Sequence, residues 1–352
     1  MKKSKKIISL SMVLVILALT LAGCSGGKDV PSTSDGGKTP PASTGETLTF
    51  NLATDSPEDT VTHLFANKFS ELVGEKSDGR IKIEVFGNGQ LGGDREIAES
   101  VQNGDIAFVV QNTAPQVNFI PELAVFDLPN LFENAAVART VLDGPFFDQI
   151  AAKYEANGIK LLGYADQGFR TMSSNVKIEK IEDFNGQKIR TMENPYHLEY
   201  WKSLGANPTP MAFAEVYIGL QQGTIVAQEN PYEVIVSAKF YEVQDYVINT
   251  NHLLHLLSLI TSPTVFDGLS AEDQQIILDA ATEAKDWARE TADSRVADRV
   301  KIITDNGAEI VDLSPELMAE MASRSASVYD TIRAKVGDEL IDSLLKAVEE
   351  AK

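Results

Sequence analysis

Arg190 has the clearest chemical prospects in this sequence. It stands in Gly186-Gln-Lys-Ile-Arg190-Thr-Met192, directly after an apolar position of a short predicted strand. A strand-end arginine is ordinarily a solvated surface charge. At the rim of a cleft, its planar fork would set two hydrogen bonds on one carboxylate, a geometry lysine cannot reproduce. Each such charge-assisted bond contributes roughly 1.5–3 kcal/mol. Just beyond, Glu193 places an anion near Arg190. That carboxylate either caps the following helix or pairs with an arginine, or it accepts a hydrogen bond from a hydroxyl or amino group of a ligand.

Other chemistry-bearing patterns lead less far. Gly87-Asn-Gly89-Gln-Leu-Gly92 matches the spacing of a dinucleotide loop between a predicted strand and helix. No acid ends the next strand, which runs out at Gln111-Asn112, and Asp94 and Glu96 would repel a pyrophosphate at the helix start. A glycine-rich turn is the better reading. His252 and His255 stand three apart and could share a helix face, but no third metal ligand is in view. No zinc-protease, serine-hydrolase or phosphate-loop motif occurs, so neither an enzyme nor a cofactor or metal is expected.

The only cysteine, Cys24, closes Leu21-Ala-Gly-Cys24. Before it come Lys2, Lys3, Lys5 and Lys6 and an apolar run from Ile7 to Leu21, the pattern of a secretory signal over residues 1–23. The tetrapeptide resembles the bacterial lipobox, which implies that Cys24 carries lipid. Fifteen of the 21 residues from 25 to 45 are Gly, Ser, Thr or Pro, a flexible tether of roughly 25 Å. Together these features fit a Gram-positive cell face, with an anchored periplasmic form as the alternative. With Cys24 used, no disulfide framework is available.

The elements that must position Arg190 follow the tether. The chain has 352 residues and a net charge of −20; without the four signal lysines the remainder carries −24. That length favours two lobes, and that acidity excludes nucleic acid as a partner. Strands are expected at 47–53, 80–86, 105–110, 160–164, 188–192 and 226–228. Helices are expected from Ser56-Pro57 toward Val73, and at 94–102, 135–157 with a break at 143–145, 196–204 and 213–221. A long helix should open at Ser270 and run to about Thr304, and the tail from Ser314 is helical. This alternation argues for α/β lobes with helix-covered, largely parallel sheets. Ligands bind such sheets at the carboxyl ends of strands: 53–55, 111–112, 166–170, 190–194 and 228–232.

Several blocks in order then resemble the dicarboxylate-type (DctP) solute receptors of TRAP transporters, tripartite ATP-independent uptake systems. They are Phe86-Gly-Asn-Gly-Gln-Leu-Gly-Gly93, Pro121-Glu-Leu-Ala-Val-Phe-Asp-Leu-Pro129, Lys188-Ile-Arg190, Leu204-Gly-Ala-Asn-Pro-Thr-Pro-Met-Ala-Phe213, Gln228-Glu-Asn-Pro231 and Ala238-Lys-Phe-Tyr-Glu-Val-Gln244. The resemblance covers Thr47 to about Asp305. It implies a two-lobed, periplasmic-binding-protein-like α/β fold with mixed sheets and a long helix spanning both lobes. The implied lobes are 46–167 with 256–297, and 168–255 with 298–352. It further implies that Arg190 grips a ligand carboxylate, that Arg170 assists, that Asn230 contacts the ligand, that Phe213 forms an aromatic wall and that Gln111 faces the cleft. Sialic-acid receptors carry a carboxylate at the Gln111 position, so the neutral amide argues against that ligand. The implied partners are a small organic acid and the small and large membrane subunits of the transporter, with a monomeric receptor. A ligand-sensing partner of a signalling receptor and an enzyme on a similar fold are the alternatives.

Overall fold

The computed structural model describes residues 47–352; the signal segment, Cys24 and the tether lie outside the described residues. The first half builds most of one sheet. Its elements are β1 (Leu48–Ala53), α1 (Val61–Lys76), β2 (Ile81–Phe86), α2 (Asp94–Asn103), β3 (Phe108–Asn112), α3 (Ala135–Leu142), α4 (Phe146–Ala156) and β4 (Lys160–Phe169). A second group follows: β5 (Thr171–Ser174), β6 (Lys188–Thr191), α5 (Pro195–Ser203), β7 (Asn207–Pro210), α6 (Val216–Gln221), β8 (Ala227–Asn230), α7 (Tyr232–Ser237) and β9 (Tyr246–Asn249). The chain then returns through β10 (Leu254–Thr261), α8 (Pro263–Asp267) and α9 (Ala271–Asp305). It ends with β11 (Glu309–Asp312), α10 (Pro315–Arg324), α11 (Ala326–Val336) and α12 (Asp338–Glu350).

Two sheets result, in the orders β2-β1-β3-β10-β4 and β11-β9-β5-β8-β6-β7. Both are mixed. β10 runs antiparallel between β3 and β4, and β5 runs antiparallel between β8 and β9. The largely parallel sheets expected from alternation alone are corrected here: β5 and β10 each enter from the other sheet, so neither is joined to a sheet neighbour by the crossover helix that makes successive strands parallel. All eight residues of β10 are buried, which corrects a second expectation: His252 precedes this strand and His255 lies in it, so they share no helix face.

Helix starts follow capping chemistry. α1 begins later than Ser56-Pro57 suggested, because the Thr60 side chain accepts from the His63 amide at 3.3 Å. α2 ends at Gly104, whose φ of 84° closes the helix. α9 is opened by Ser270 and runs 35 residues, about 52 Å at 1.5 Å per residue. Its buried Ala280, Ala281, Ala284, Ala288 and Ala292 let it lie close against α1, over Phe65, Phe69 and Phe108. Beyond that stripe Ile303 joins the core of the second group with Val234, Ile235 and Phe240, so one helix spans both lobes. The last helices turn back: α12 packs on α3 and α4, and α11 on α5, both meeting the turn at Pro121–Asp127.

The chain changes sheets between β4 and β5. Gly168 has a φ of 89° there, a conformation that a Cβ would strain.

Candidate functional site

The carboxyl ends of β1, β3, β6 and β8 converge on a cleft of about 350 Å³, lined among others by Asp55, Asp94, Arg190, Phe213, Asn230 and His255. It opens into an outer chamber of about 460 Å³ that adds Arg95, Asn118 and Glu193.

β6 places Arg190 in the wall, in register with Thr209 and Gln228 on the neighbouring strands. The residue is only 2% exposed. Its Nε and Nη2 donate to the Met211 carbonyl at 2.9 and 2.7 Å, which fixes the fork. Its Cζ sits 6.0 Å from the centre of the Phe213 ring, within cation–π range. Among the described residues Nη1 donates to no protein atom, and no carboxylate forms an ion pair with this guanidinium. Burial pushes its pKa down to about 10, against the pull of the Glu229, Asp94 and Asp55 carboxylates.

Arg170, also buried, is differently placed. Its Nε and Nη2 hold the Glu229 carboxylate, Nη2 donates to Asn230 Oδ1 at 3.1 Å, and Nη1 meets His255 Nδ1. Every guanidinium nitrogen therefore has a protein partner, and the fork faces the rear of the wall rather than its surface. Burial pushes the Glu229 carboxyl up, but Arg170, a hydrogen bond with His252 and the neighbouring His197 ring hold it well below the usual range. His255 is driven well below its own ordinary value, first by burial and then by Arg170. Asn230 lines the cleft, with its amide nitrogen on Gln228 Oε1 at 2.8 Å.

Gln111 is fully buried. Its Nε2 donates to the Asp94 backbone carbonyl at 3.2 Å, and its Oε1 has no protein partner. It supports Asp94 and is not among the residues lining the cleft. Glu193 stands at the mouth, half exposed, with its carboxylate 3.7 Å from Arg95 and its carbonyl accepting from Asn118 at 2.7 Å. The cap of α5 is Asn194, which accepts from the amides of Tyr196 and His197.

Asp55 and Asp94 are the residues that sequence reasoning missed as site groups. Asp55 follows β1, at a strand end already marked for inspection. Asp94 opens α2, and it had counted only as a charge hostile to phosphate. Both line the inner cleft; burial raises both, and repulsion from Asp55 adds to burial in lifting Asp94 well above the carboxylate range. The only available signal was position, since the elements carrying them lie far apart in the chain.

A two-lobed α/β body with such a cleft at its strand ends is a solute-binding architecture. The chain belongs to the bacterial extracellular solute-binding protein family 7, the DctP family of TRAP receptors, whose model matches residues 52–335. It is 33% identical over 299 residues to the 2,3-diketo-L-gulonate-binding periplasmic protein YiaO of Escherichia coli (strain K12), covering 82% of this chain and 88% of that one. To the C4-dicarboxylate-binding protein DctB of Bacillus subtilis (strain 168) it is 32% identical over 301 residues, 85% and 86% of the two chains. The crystal structure of the sugar acid binding protein DctPAm of Advenella mimigardefordensis strain DPN7T, in complex with galactonate, superposes with a TM-score of 0.84 at 33% identity. That match covers 87% of this chain and 99% of the other. The family is one of receptors rather than enzymes. No helix among the described residues is long and apolar enough to cross a membrane.

Proposed function

We propose that this chain is the receptor of a TRAP-type uptake system, taking a small organic acid by its carboxylate on Arg190 and delivering it to the small and large membrane subunits. The observation that carries this reading is Arg190 itself: a buried cation, braced by Met211 and Phe213, with no ion-pair partner among the described residues. Burying a charge without a counter-charge is costly, and a carboxylate entering the cleft offsets that cost while completing the fork. The three relatives named above are described as binding acids, which agrees with it.

The receptor works as a monomer by closing its lobes, 46–167 with 256–297 and 168–255 with 298–352. Asn230 and Phe213 shape the pocket, Arg170 and Gln111 act from behind it, and Glu193 guards the mouth with Arg95. Closure removes water, which strengthens the charge pair. It is favoured only by a ligand that touches both lobes. Cys24 anchors the mature protein to the outer face of the membrane through lipid, with residues 25–45 as the tether.

Titration calorimetry of the purified mature protein against mono-, di-, sugar and keto acids tests the reading, with X-ray scattering on the same samples. An acid should bind and shrink the radius of gyration, and Arg190→Ala should weaken it by at least about 100-fold, the worth of two charge-assisted bonds. A folded Arg190→Ala protein that binds the same acid undiminished would remove the clamp.

A further inference from the structure

β5, β8 and β6 set polar side chains side by side in one buried row. Ser173, Gln228 and Arg190 are register partners, so they share a face of the sheet. Asn230, two residues beyond Gln228 on β8, stands on that face as well. Gln244 reaches the row from the segment just before β9. Ser173, Gln228, Asn230 and Gln244 are all buried, none of them more than 3% exposed. Asn230 lines the inner cleft; the other three line neither chamber.

Hydrogen bonds join these side chains end to end. Arg170 Nη2, which also serves Glu229, donates to Asn230 Oδ1 at 3.1 Å. Asn230 Nδ2 donates to Gln228 Oε1 at 2.8 Å, Gln228 Nε2 to Ser173 Oγ at 2.8 Å, and Ser173 Oγ to Gln244 Oε1 at 3.2 Å. Gln244 Nε2 closes the chain on the backbone carbonyl of Val243 at 3.0 Å. The two ends fix its sense, because a guanidinium only donates and a backbone carbonyl only accepts. Turning the Asn230 amide over would set donor against donor at Arg170 and acceptor against acceptor at Gln228. Asn230 is thereby held with its oxygen toward Arg170, and among the described residues its second N–H has no protein acceptor. Stability alone is a weak reason for such a row, since apolar side chains of the same volume fill a core without polar cost. What the row transmits, link by link, is direction, and it delivers that direction to the one member that meets the cleft.

We propose that Gln228, Ser173 and Gln244 are positioning residues, a relay that holds the Asn230 amide with an N–H for the solute, so that affinity depends on side chains that never touch it. This rests on the receptor reading above and deepens it. Asn230 is the group that acts, by donating to an oxygen of the acid whose carboxylate Arg190 holds. Ser173 is the link most cleanly cut: without its hydroxyl, Gln228 is free to turn over, and Asn230 loses the partner that fixes it.

Ser173→Ala and Gln228→Leu, each alone and combined with Asn230→Ala, give two double-mutant cycles, read by calorimetry on the mature protein. The probe is whichever of succinate, pyruvate, D-gluconate and D-galactonate the native protein binds most tightly, and melting curves check that each variant is folded. Each single variant should weaken the probe by about 10-fold, the worth of one hydrogen bond to a charged group. Once Asn230 is already alanine, the same changes should cost less than about 2-fold. A second readout needs no solute and no Gln228 variant. In isotope-labelled protein the Asn230 side-chain amide signals, assigned by their absence from Asn230→Ala, should move in Ser173→Ala although Gln228 stands between the two residues. Undiminished binding in the folded single variants, equal losses with and without Asn230, or amide signals that stay in place would each overturn the relay while the Arg190 clamp stands. Binding of none of these acids by the folded native protein would overturn the receptor reading, and the positioning role with it.

Discussion

Two arginines lie buried within the same wall, and the difference between them is one of partnership. Arg170 neutralises Glu229; Arg190 has no such neighbour among the described residues. Removing one member of a buried ion pair strands the other, so Arg170→Met should cost about 3–5 kcal/mol of unfolding free energy. Arg190→Met removes an uncompensated cation and leaves only the Met211 carbonyl without its donor, so it should cost no more than about 1–2 kcal/mol. Urea denaturation of both variants without ligand checks this, and equal losses would contradict the assignment. Part of the contrast was legible in the sequence. Arg190 could be picked out from its strand end, and both arginines from the resemblance. Glu229 sat inside a quoted block without being noticed, because nothing in local spacing says that a glutamate three residues before a helix will meet an arginine 59 positions earlier.

At the level of elements, the wall is tied to the rest of the body through His197 on α5. Its Nε2 meets Asp127 at 2.9 Å, and its other face lies against Glu229 on β8. Burial pushes the imidazolium down, but the two carboxylates outweigh it and hold the pKa up to about 9, against an ordinary 6.5. The folded value is the higher one, so the stabilisation is fully present below pH 6.5 and is lost as pH rises through 9. The amount is on the order of 3 kcal/mol. Melting temperature should fall across that window in the native protein, and His197→Gln should flatten the fall; an unchanged slope would dissociate His197 from it. Elements whose ends carry chemical punctuation were the legible ones: Ser270 opens α9, Gly144 and Pro145 part α3 from α4, and Asn194 with Pro195 starts α5. β10 was missed because eight consecutive buried residues show no alternation, and periodicity is the signal a strand otherwise gives. Ser56-Pro57 looked like a helix start, yet Thr60 has the side chain that reaches the free amide.

For the molecule as a whole, the acidic exterior and the membrane address act together. A body at −24 is repelled by anionic headgroups, so its folded surface gives no electrostatic hold on a membrane, and the lipid proposed on Cys24 is what would supply attachment. Cys24→Ser should release the protein into the medium or periplasm without changing its affinity for solute, as fractionation and calorimetry would show. Retention at the membrane would argue against the lipidated form. The architecture of two lobes was legible from length and from the order of the blocks. The convergence of Asp55, Asp94 and Arg190 was not, since it depends on how two sheets face each other.

The return of the chain to its beginning has a consequence for how the protein is made. The first sheet has β10 as its fourth strand in spatial order, and the helix over α3 and α4 is α12. A polypeptide that emerges amino-terminus first, from a ribosome or through a pore, thus cannot close its first sheet until β10 is out, nor cover α3 and α4 until nearly its last residue is out. The second group of strands, β5 to β9, is finished except for its edge strand β11 well before then. The half translated first is closed last, and for that interval Phe126, Leu131 and Phe146 wait for the residues near 340 that will cover them.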